Sequence, residues 1–332
     1  MNQPSRRITQ HFLEPRPYPQ SLSIVMPMFN EEPLTAILRE ELTRFLPEIK
    51  CPVEVVLVND GSFDQSLFQL IEWARDDSRI HIVHLSRNFG HQAAATAGLE
   101  YATGEAVILM DADLQDPLAV LHQMIAKYCE GYDVVYGQRA SRQGETVFKK
   151  ISAWAFYRFF TKFIHRDIPV DTGDFRLLSR QCLDSMRRMG EVHRFLRGMV
   201  TWLGYPQTAV LYDRQARVAG ETKYPLRKMI AFAWTAATSF SDLPLKGSLY
   251  LGVLGILLAI EESLRALIAY ALGYYTISGW TSLVILNSLI GGVILFCLGI
   301  MGDYIGKIYV ASKDRPIYLV AKSHHFPRGA SK

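Results

Sequence analysis

An α/β fold built on a mostly parallel sheet, with membrane helices behind it, is what this chain of 332 residues predicts, on three observations. Strand-like apolar runs alternate with helix-like segments up to about residue 137, the pattern of a parallel sheet covered by helices on both faces. Polar residues fall at the carboxyl ends of those strands, where open α/β sheets gather their ligands. Residues 276–302 then contain no charge over 27 positions. As a helix that run is about 40 Å long, enough to span a bilayer with some tilt.

Residues 21–28 form the first expected strand, which stops at Pro27-Met-Phe-Asn-Glu-Glu-Pro33 and feeds a helix over 35–46. A dinucleotide site would need Gly-X-Gly-X-X-Gly at this turn, and the turn does not contain it. The second strand, 53–58, ends in Asn59-Asp60-Gly61-Ser62, so Asp60 stands at a carboxyl end and Gly61 lets the backbone turn sharply. A helix over 65–76 and a strand over 80–85 follow. Ser86-Arg87-Asn88-Phe89-Gly90-His91-Gln92 then opens a helix over 93–101 whose alanines allow close packing on the sheet. Free N–H groups at such a start attract phosphate and Arg87 adds a charge, although an exposed loop arginine reads the same way. His91 reads as structural.

Four apolar residues, 107–110, run into Asp111-Ala-Asp113-Leu-Gln115-Asp116-Pro117. In extended backbone Asp111 and Asp113 point the same way and could grip one hard cation, with a diphosphate completing its shell. The other reading is an acidic turn, with Pro117 in the first turn of the next helix and Asp116 as its cap. A helix over 118–129 and a short strand over 134–137 lead to Gln138-Arg139.

Past Gly144 the composition changes. Residues 148–164 put Trp, Tyr and Phe on one helical face and basic residues near the other, the make-up of a helix lying in a membrane interface or of a core helix with a basic outer side. Residues 225–240 read as a second such helix. Residues 247–277 are apolar except for Glu261-Glu262-Ser-Leu-Arg265, a first spanning helix with a polar notch, and 276–302 supplies the second. The expected organisation is an N-terminal arm (1–20), a catalytic core (21–145), an acceptor-side segment with interface helices (146–245), two transmembrane helices (246–306) and a basic tail (307–332).

Residues 1–20 are polar and proline-rich without an apolar signal core, and the four cysteines have no metal spacing, which suits a reducing compartment. Net charge is only +4, but the basic residues cluster on either side of the spans while the turn between them has none. The positive-inside rule therefore places the catalytic part and both termini in the cytosol, with the chain integral to the cytoplasmic membrane. No nucleic-acid partner is expected.

Pro27/Asn30/Glu31, Val58-Asn-Asp-Gly-Ser62, Arg87-Asn-Phe-Gly90, Asp111-Ala-Asp-Leu-Gln-Asp-Pro117 and Gly173-Asp-Phe-Arg-Leu-Leu-Ser-Arg180, in this order and spacing, resemble the family 2 glycosyltransferases of GT-A fold. The resemblance runs from about Ser21 to Pro316 and is nearest to the polyprenyl-phosphate glycosyltransferases, the group of dolichyl-phosphate mannose synthase and the bactoprenol glucosyltransferases. It implies that Pro27, Asn30, Glu31, Asp60 and Arg87 bind the nucleotide, that Asp111 and Asp113 hold Mg²⁺ or Mn²⁺ on the diphosphate, and that Gln115 faces the sugar. It also implies that Arg139, Lys149, Ser152 and Arg176 meet the lipid phosphate and that Asp174 is the acceptor-side carboxylate. Asn59 stands where the family usually has a second aspartate.

The implied partners are a nucleotide-sugar donor, a polyprenyl-phosphate acceptor and membrane lipid. A phosphate monoester is largely ionised at neutral pH, so Asp174 is expected to orient the acceptor or tune the metal rather than take a proton. Glucose from UDP-glucose is the expected donor, with GDP-mannose or an aminoarabinose-type donor as alternatives. A processive polysaccharide synthase would carry Gln-X-X-Arg-Trp, and Phe195-Leu-Arg-Gly-Met-Val-Thr-Trp202 does not. A non-catalytic lipid-translocation partner fits the Asp111/Asp113 pair least. The charged notch in the first span, together with Gly291-Gly292 in the second, predicts a homo-oligomer such as a tetramer.

Overall fold

A computed structural model of the chain describes residues 13–139, 172–192, 194–213, 243–272 and 280–325. These fall into two compact units, one of 13–139, 172–192, 194–213 and 316–325, the other of 243–272 and 280–315. In the first, β1 (Leu22–Met28), α1 (Glu32–Phe45), β2 (Val53–Asn59), α2 (Ser66–Asp76), β3 (Ile80–Leu85), α3 (His91–Tyr101), β4 (Ala106–Leu109), α4 (Val120–Cys129) and β5 (Val134–Arg139) alternate as expected. They are followed by β6 (Thr172–Ser179), α5 (Arg180–Arg187), α6 (Leu196–Trp202), β7 (Gln207–Tyr212) and β8 (Val320–His324).

The eight described strands form one sheet in the order β7-β5-β6-β4-β1-β2-β3-β8. The β1–β2, β2–β3, β1–β4 and β5–β7 pairs are parallel, whereas β6 runs antiparallel to both β4 and β5, and β8 antiparallel to β3. Every residue of central β1 is buried, as a strand covered on both faces must be. One face packs on α1, α2 and α4 through Leu38, Leu42, Leu70, Trp73 and Met124, and the other on α3, α5 and α6 through Ala94, Leu183 and Met199. Leu38 and Leu42 are fully buried, worth about 1.5–3 kcal/mol each relative to exposure. The small residues of α3 have the expected role: a Cβ at Gly98 would stand 2.3 Å from Val25 Cγ1, so only glycine lets this helix lie so close to β1.

The sheet is larger than residues 21–145. β6 slots between β4 and β5, so its first residues lie at the edge where the parallel strands end, and that places Asp174. Part of the expected basic tail is strand β8. Its charged, half-exposed Val-Ala-Lys-Ser-His lacks strand alternation because it is an edge strand, where polar side chains guard against further pairing. The strand leading to the two aspartates ends at Leu109, and Asp111–Asp113 lies beyond it in a turn rather than in extended backbone.

The second unit contains α7 (Leu243–Ala271) and α8 (Trp280–Ser312). Up to Ala271 the expected first span, notch included, is one continuous helix, but its apolar stretch is only Leu245–Leu258. Among the described residues one helix segment, Leu289–Ser312, is long and apolar enough to cross a membrane. Large apolar side chains stand exposed along both helices, among them Leu249, Ile256, Ile260, Leu264, Leu295 and Phe296. Cys297 Sγ approaches the Ser248 carbonyl at 3.5 Å between them. The expected interface helices, 148–164 and 225–240, lie outside the described residues.

The β3–β8 seam is rich in histidine. His81 and His325 rings meet edge to face at 6.0 Å, His84 lies opposite Lys322, and His324 lies opposite Ile82. Burial lowers the pKa of His81, His84 and His324, with Lys322, His325, Arg75 and His84 adding positive charge around His324 and Glu54 opposing the shift at His81. The opened strand therefore takes up protons more readily than the docked one. Docking is strongest above the ordinary histidine pKa of about 6.5 and weakens as pH falls below it. Amide exchange of residues 320–324, corrected for intrinsic rate, is expected to quicken severalfold more than that of β1 between pH 7.5 and 5.5. Equal changes in both strands would contradict this.

Candidate active site

The carboxyl ends of β1, β2, β3 and β4 lie side by side, and the loops leaving them are tied to one another. Asn30 sits at φ +53, its N–H donating to Ser62 Oγ at 2.9 Å and its Oδ1 accepting from Phe63 N–H at 3.1 Å. Glu31 donates its N–H to Ser66 Oγ at 2.9 Å and stands at the N-cap of α1, and buried Pro27 pairs with Val58 in the sheet. Asn59 is fully buried, with Oδ1 accepting from Ser62 N–H at 3.3 Å and Nδ2 2.9 Å from His84 Nδ1. Asparagine can make both contacts, accepting through its oxygen while its nitrogen donates.

Asp60 is buried and its two oxygens accept from the N–H groups of Phe89 at 2.7 Å and Gly90 at 2.9 Å. Burial raises its pKa, with those two bonds and the His91 and Arg87 charges pulling the other way. Gly61, at φ +66, permits the close approach of the two loops: a Cβ there would lie 2.4 Å from the Arg87 carbonyl carbon. Arg87 itself is exposed, its guanidinium 4.0 Å over the Phe89 ring. Asp60 thus shapes the Arg87–Gly90 loop rather than standing free beside it.

Beyond β4 the chain turns. Asp113 Oδ1 accepts from Gln115 N–H at 3.2 Å, and Leu114 takes φ +54. Asp113, Gln115 and Asp116 are nearly closed off from solvent, whereas the Asp111 side chain keeps 38% of its surface open. The two carboxylates therefore leave a turn rather than an extended strand, Asp111 open at the mouth of the site and Asp113 enclosed beside Gln115. Asp111 is open on that side and walled in on the others. Burial raises its pKa first, His91 draws it down, and Asp174, Asp116 and Asp113 push it up again.

The structure gathers Asp111 and Asp174 around His91. Its Nε2 lies 3.2 Å from Asp174 Oδ2 and 3.7 Å from Asp111 Oδ1. Asp174, only 6% exposed, also accepts from Gln92 Nε2 at 2.8 Å and Arg197 Nε at 2.8 Å. Burial would raise its pKa, but the His91 bond and the Arg197 and Arg176 charges prevail and hold it far below the usual carboxylate range. His91 shifts the opposite way: burial would lower it, and its Asp174 bond and the Asp111 and Asp174 charges raise it.

Arg176 is buried and donates to the Asp174 carbonyl at 3.3 Å and the Gly173 carbonyl at 3.0 Å, and burial brings its pKa down to about 10. Arg176, expected to meet the lipid phosphate, thus has its guanidinium turned to backbone carbonyls of its own strand. Arg139 ends β5 beside Tyr212, whose hydroxyl donates to Asp116 at 2.5 Å, and the Arg139 Nε is buried with no hydrogen-bond partner among the described residues. Lys149 and Ser152 lie outside the described residues.

His91, Gln92, Arg197 and Tyr212 are the site residues that sequence reading missed. Position after the Gly90 turn marks the first two. Gln92 and Asp174 are 82 residues apart, and no local pattern announces such a pairing.

Among the described residues no three His, Cys, Asp or Glu side chains converge as a self-sufficient metal cluster. The donors still suit a hard divalent cation. Asp111 is a carboxylate at the mouth of a site where three further aspartates act on it electrostatically, and magnesium-type ions need only one or two carboxylates beside phosphate and water.

Residues 23–187 match the profile described as glycosyl transferase family 2. Among solved structures, glucosyl-3-phosphoglycerate synthase from Mycobacterium tuberculosis, in complex with Mn²⁺, UDP and glucosyl-3-phosphoglycerate, aligns with a TM-score of 0.46 and 19% identity over 66% of this chain and 78% of its own. An uncharacterized glycosyltransferase of Bacillus subtilis (strain 168) is 46% identical over 305 residues, 91% of this chain and 94% of its own. The bactoprenol glucosyl transferase of Shigella phage SfII is 34% identical over 303 residues, 91% of this chain and 98% of its own. Identity at this level along nine-tenths of its length, rather than over one motif-bearing segment, means that the chain belongs to glycosyl transferase family 2.

Proposed function

We propose that the chain transfers a hexose, glucose from UDP-glucose, to a polyprenyl phosphate such as undecaprenyl phosphate at the cytoplasmic face of a membrane. The observation that carries this reading is the extent of similarity to the bactoprenol glucosyl transferase. A match over 303 residues reaches far beyond the family segment at 23–187 and into the apolar C-terminal part. The exposed apolar side chains of α7 and α8 support two membrane spans, for which lipid is the natural solvent.

The reaction is a single displacement. An oxygen of the acceptor phosphate forms a bond to the anomeric carbon while the bond to the donor diphosphate breaks, and the nucleoside diphosphate leaves with the bonding pair, inverting the centre. Asp111 and Asp113 would hold Mg²⁺ or Mn²⁺, which would supply Lewis-acid stabilisation of the departing diphosphate. Asp60 fixes the Arg87–Gly90 loop, so that Arg87 and the opening turn of α3 meet the donor. Gln115, in the turn of Asp113, lies where the sugar is offered. Asp174 is already ionised and bonded to three side chains, which makes it a poor proton acceptor. The acceptor phosphate needs none, since it is a ready nucleophile at neutral pH. Asp174 accordingly orients His91 and Arg197 toward the arriving anion, and Arg139 meets that anion from the end of β5.

Asp111→Asn and Asp113→Asn are each expected to lower transfer by at least about a hundredfold with the thermal midpoint nearly unchanged, because each removes a cation ligand at the sheet edge rather than a core contact. EDTA should silence the wild type and added Mg²⁺ or Mn²⁺ restore it, measured as label from UDP-[¹⁴C]glucose in extracted undecaprenyl phosphate. Full activity in EDTA would rule out the metal role.

Arg139→Ala is expected to raise the KM for undecaprenyl phosphate roughly tenfold while UDP binding by calorimetry stays near wild type. An equal loss in UDP affinity would place Arg139 on the donor side. Lys149→Ala should behave as Arg139→Ala does.

A further inference from the structure

The chain leaves α8 at Ser312 and returns to the first unit as strand β8, and the turn between them carries Tyr318. Tyr318 and Val320 pack against the core beneath α3. The Tyr318 hydroxyl donates to Glu100 Oε2 at 2.6 Å, and the Leu319 carbonyl accepts from Ser86 N–H at 2.8 Å. Glu100, at the end of α3, is also the ion-pair partner of Arg194, with Nη1 3.6 Å from Oε1. The Arg194 side chain is 7% exposed and donates through Nη2 to the Met189 carbonyl at 3.2 Å.

Arg194 opens the short segment that enters α6. Two residues later Leu196 donates its N–H to Gln92 Oε1 at 3.0 Å, and the next residue, Arg197, holds Asp174. Gln92 and Glu100 are eight residues apart on α3, about 12 Å along a rigid helix. The segment is therefore pinned at both ends of one ruler. The amide end carries Asp174, and the carboxylate end is held by the tail.

We propose that Tyr318 is a positioning residue: by fixing Glu100 it fixes Arg194 and the segment into α6, so that the tail behind the apolar helices sets the orientation of Arg197 against Asp174. Burial and the Glu100 bond keep its phenol neutral far beyond physiological pH, so it remains a donor. The role of this contact in turnover rests on the transferase reading above, whereas the pinning itself does not.

Tyr318→Phe removes one hydroxyl and leaves the ring in its packing, and Glu100→Gln weakens the same junction from the other side. Hydrogen–deuterium exchange of full-length protein in detergent is expected to show amides 194–202 exchanging about tenfold faster in either variant, with β1 and β2 unchanged. In transfer from UDP-glucose to undecaprenyl phosphate, kcat should fall about five- to tenfold at constant KM for UDP-glucose. The double variant should be no worse than the more impaired single one, as for two partners in one contact. Unchanged exchange at 194–202, acceleration spread evenly through the sheet, or additive losses would each overturn the proposal. If the wild type transfers no sugar to the lipid, the functional reading fails and the exchange pattern alone decides the pinning.

Discussion

A carboxylate almost closed off from water must be matched by positive or hydrogen-bonding groups, and Asp174 obtains its match from three segments at once. His91 and Gln92 come from the first turn of α3, Arg197 from α6, and Arg176 from the same strand as Asp174 itself. The insertion of β6 makes this possible, because only an antiparallel strand beside β4 begins at the edge where β4 ends. The register brings Leu109 opposite Arg176 and so carries Asp174 level with Asp111. Removing any one partner would leave a buried charge undercompensated, which is why these elements hold their places together.

The loops leaving β1, β2 and β3 form a chain of a similar kind. Asn30 is tied to Ser62 and Phe63, Asp60 to Phe89 and Gly90, Asn59 to His84, and Ser86 to Leu319. Each loop is held by the next one along the sheet edge, ending at β8. Backbone groups that would otherwise require water are satisfied by neighbouring loops, so the edge is organised before any ligand arrives. Preorganisation of this sort is what a nucleotide diphosphate site needs, since it avoids the entropy cost of ordering several loops on binding.

Most of this was legible wherever the signal is local. β3 was bounded correctly at residues 80–85, and β1, β2 and α1 to α4 were found within a few residues, because buried parallel strands and amphipathic helices write their period into adjacent positions. The clustering of Asp60, Asp111 and Arg87 at one edge follows from strand ends alone. β6 was visible as a motif but not as a strand, since its Thr-Gly-Asp-Phe-Arg-Leu-Leu-Ser buries an aspartate and an arginine whose partners are distant in sequence. β8 was hidden by the polarity of an edge strand. The apolar C-terminal helices were recognised by composition, but α7 has a shorter apolar stretch than the span expected of it, with Glu261 and Arg265 inside one unbroken helix.

The two carboxylates nearest His91 are driven in opposite directions. Asp174 is held far below the ordinary range by its donors, and Asp111 is raised by enclosure and by the negative charges around it. Environments that separate the behaviour of paired titratable groups mark a division of roles. Asp174 already has its positive charge from within the chain. Among the described residues Asp111, with its open face, draws on His91 alone at 3.7 Å, a longer approach than the 3.2 Å that His91 makes to Asp174. The electrostatic deficit of the site therefore lies at its mouth. An external cation brought with a diphosphate would relieve it there, so donor binding and completion of the site would be one event.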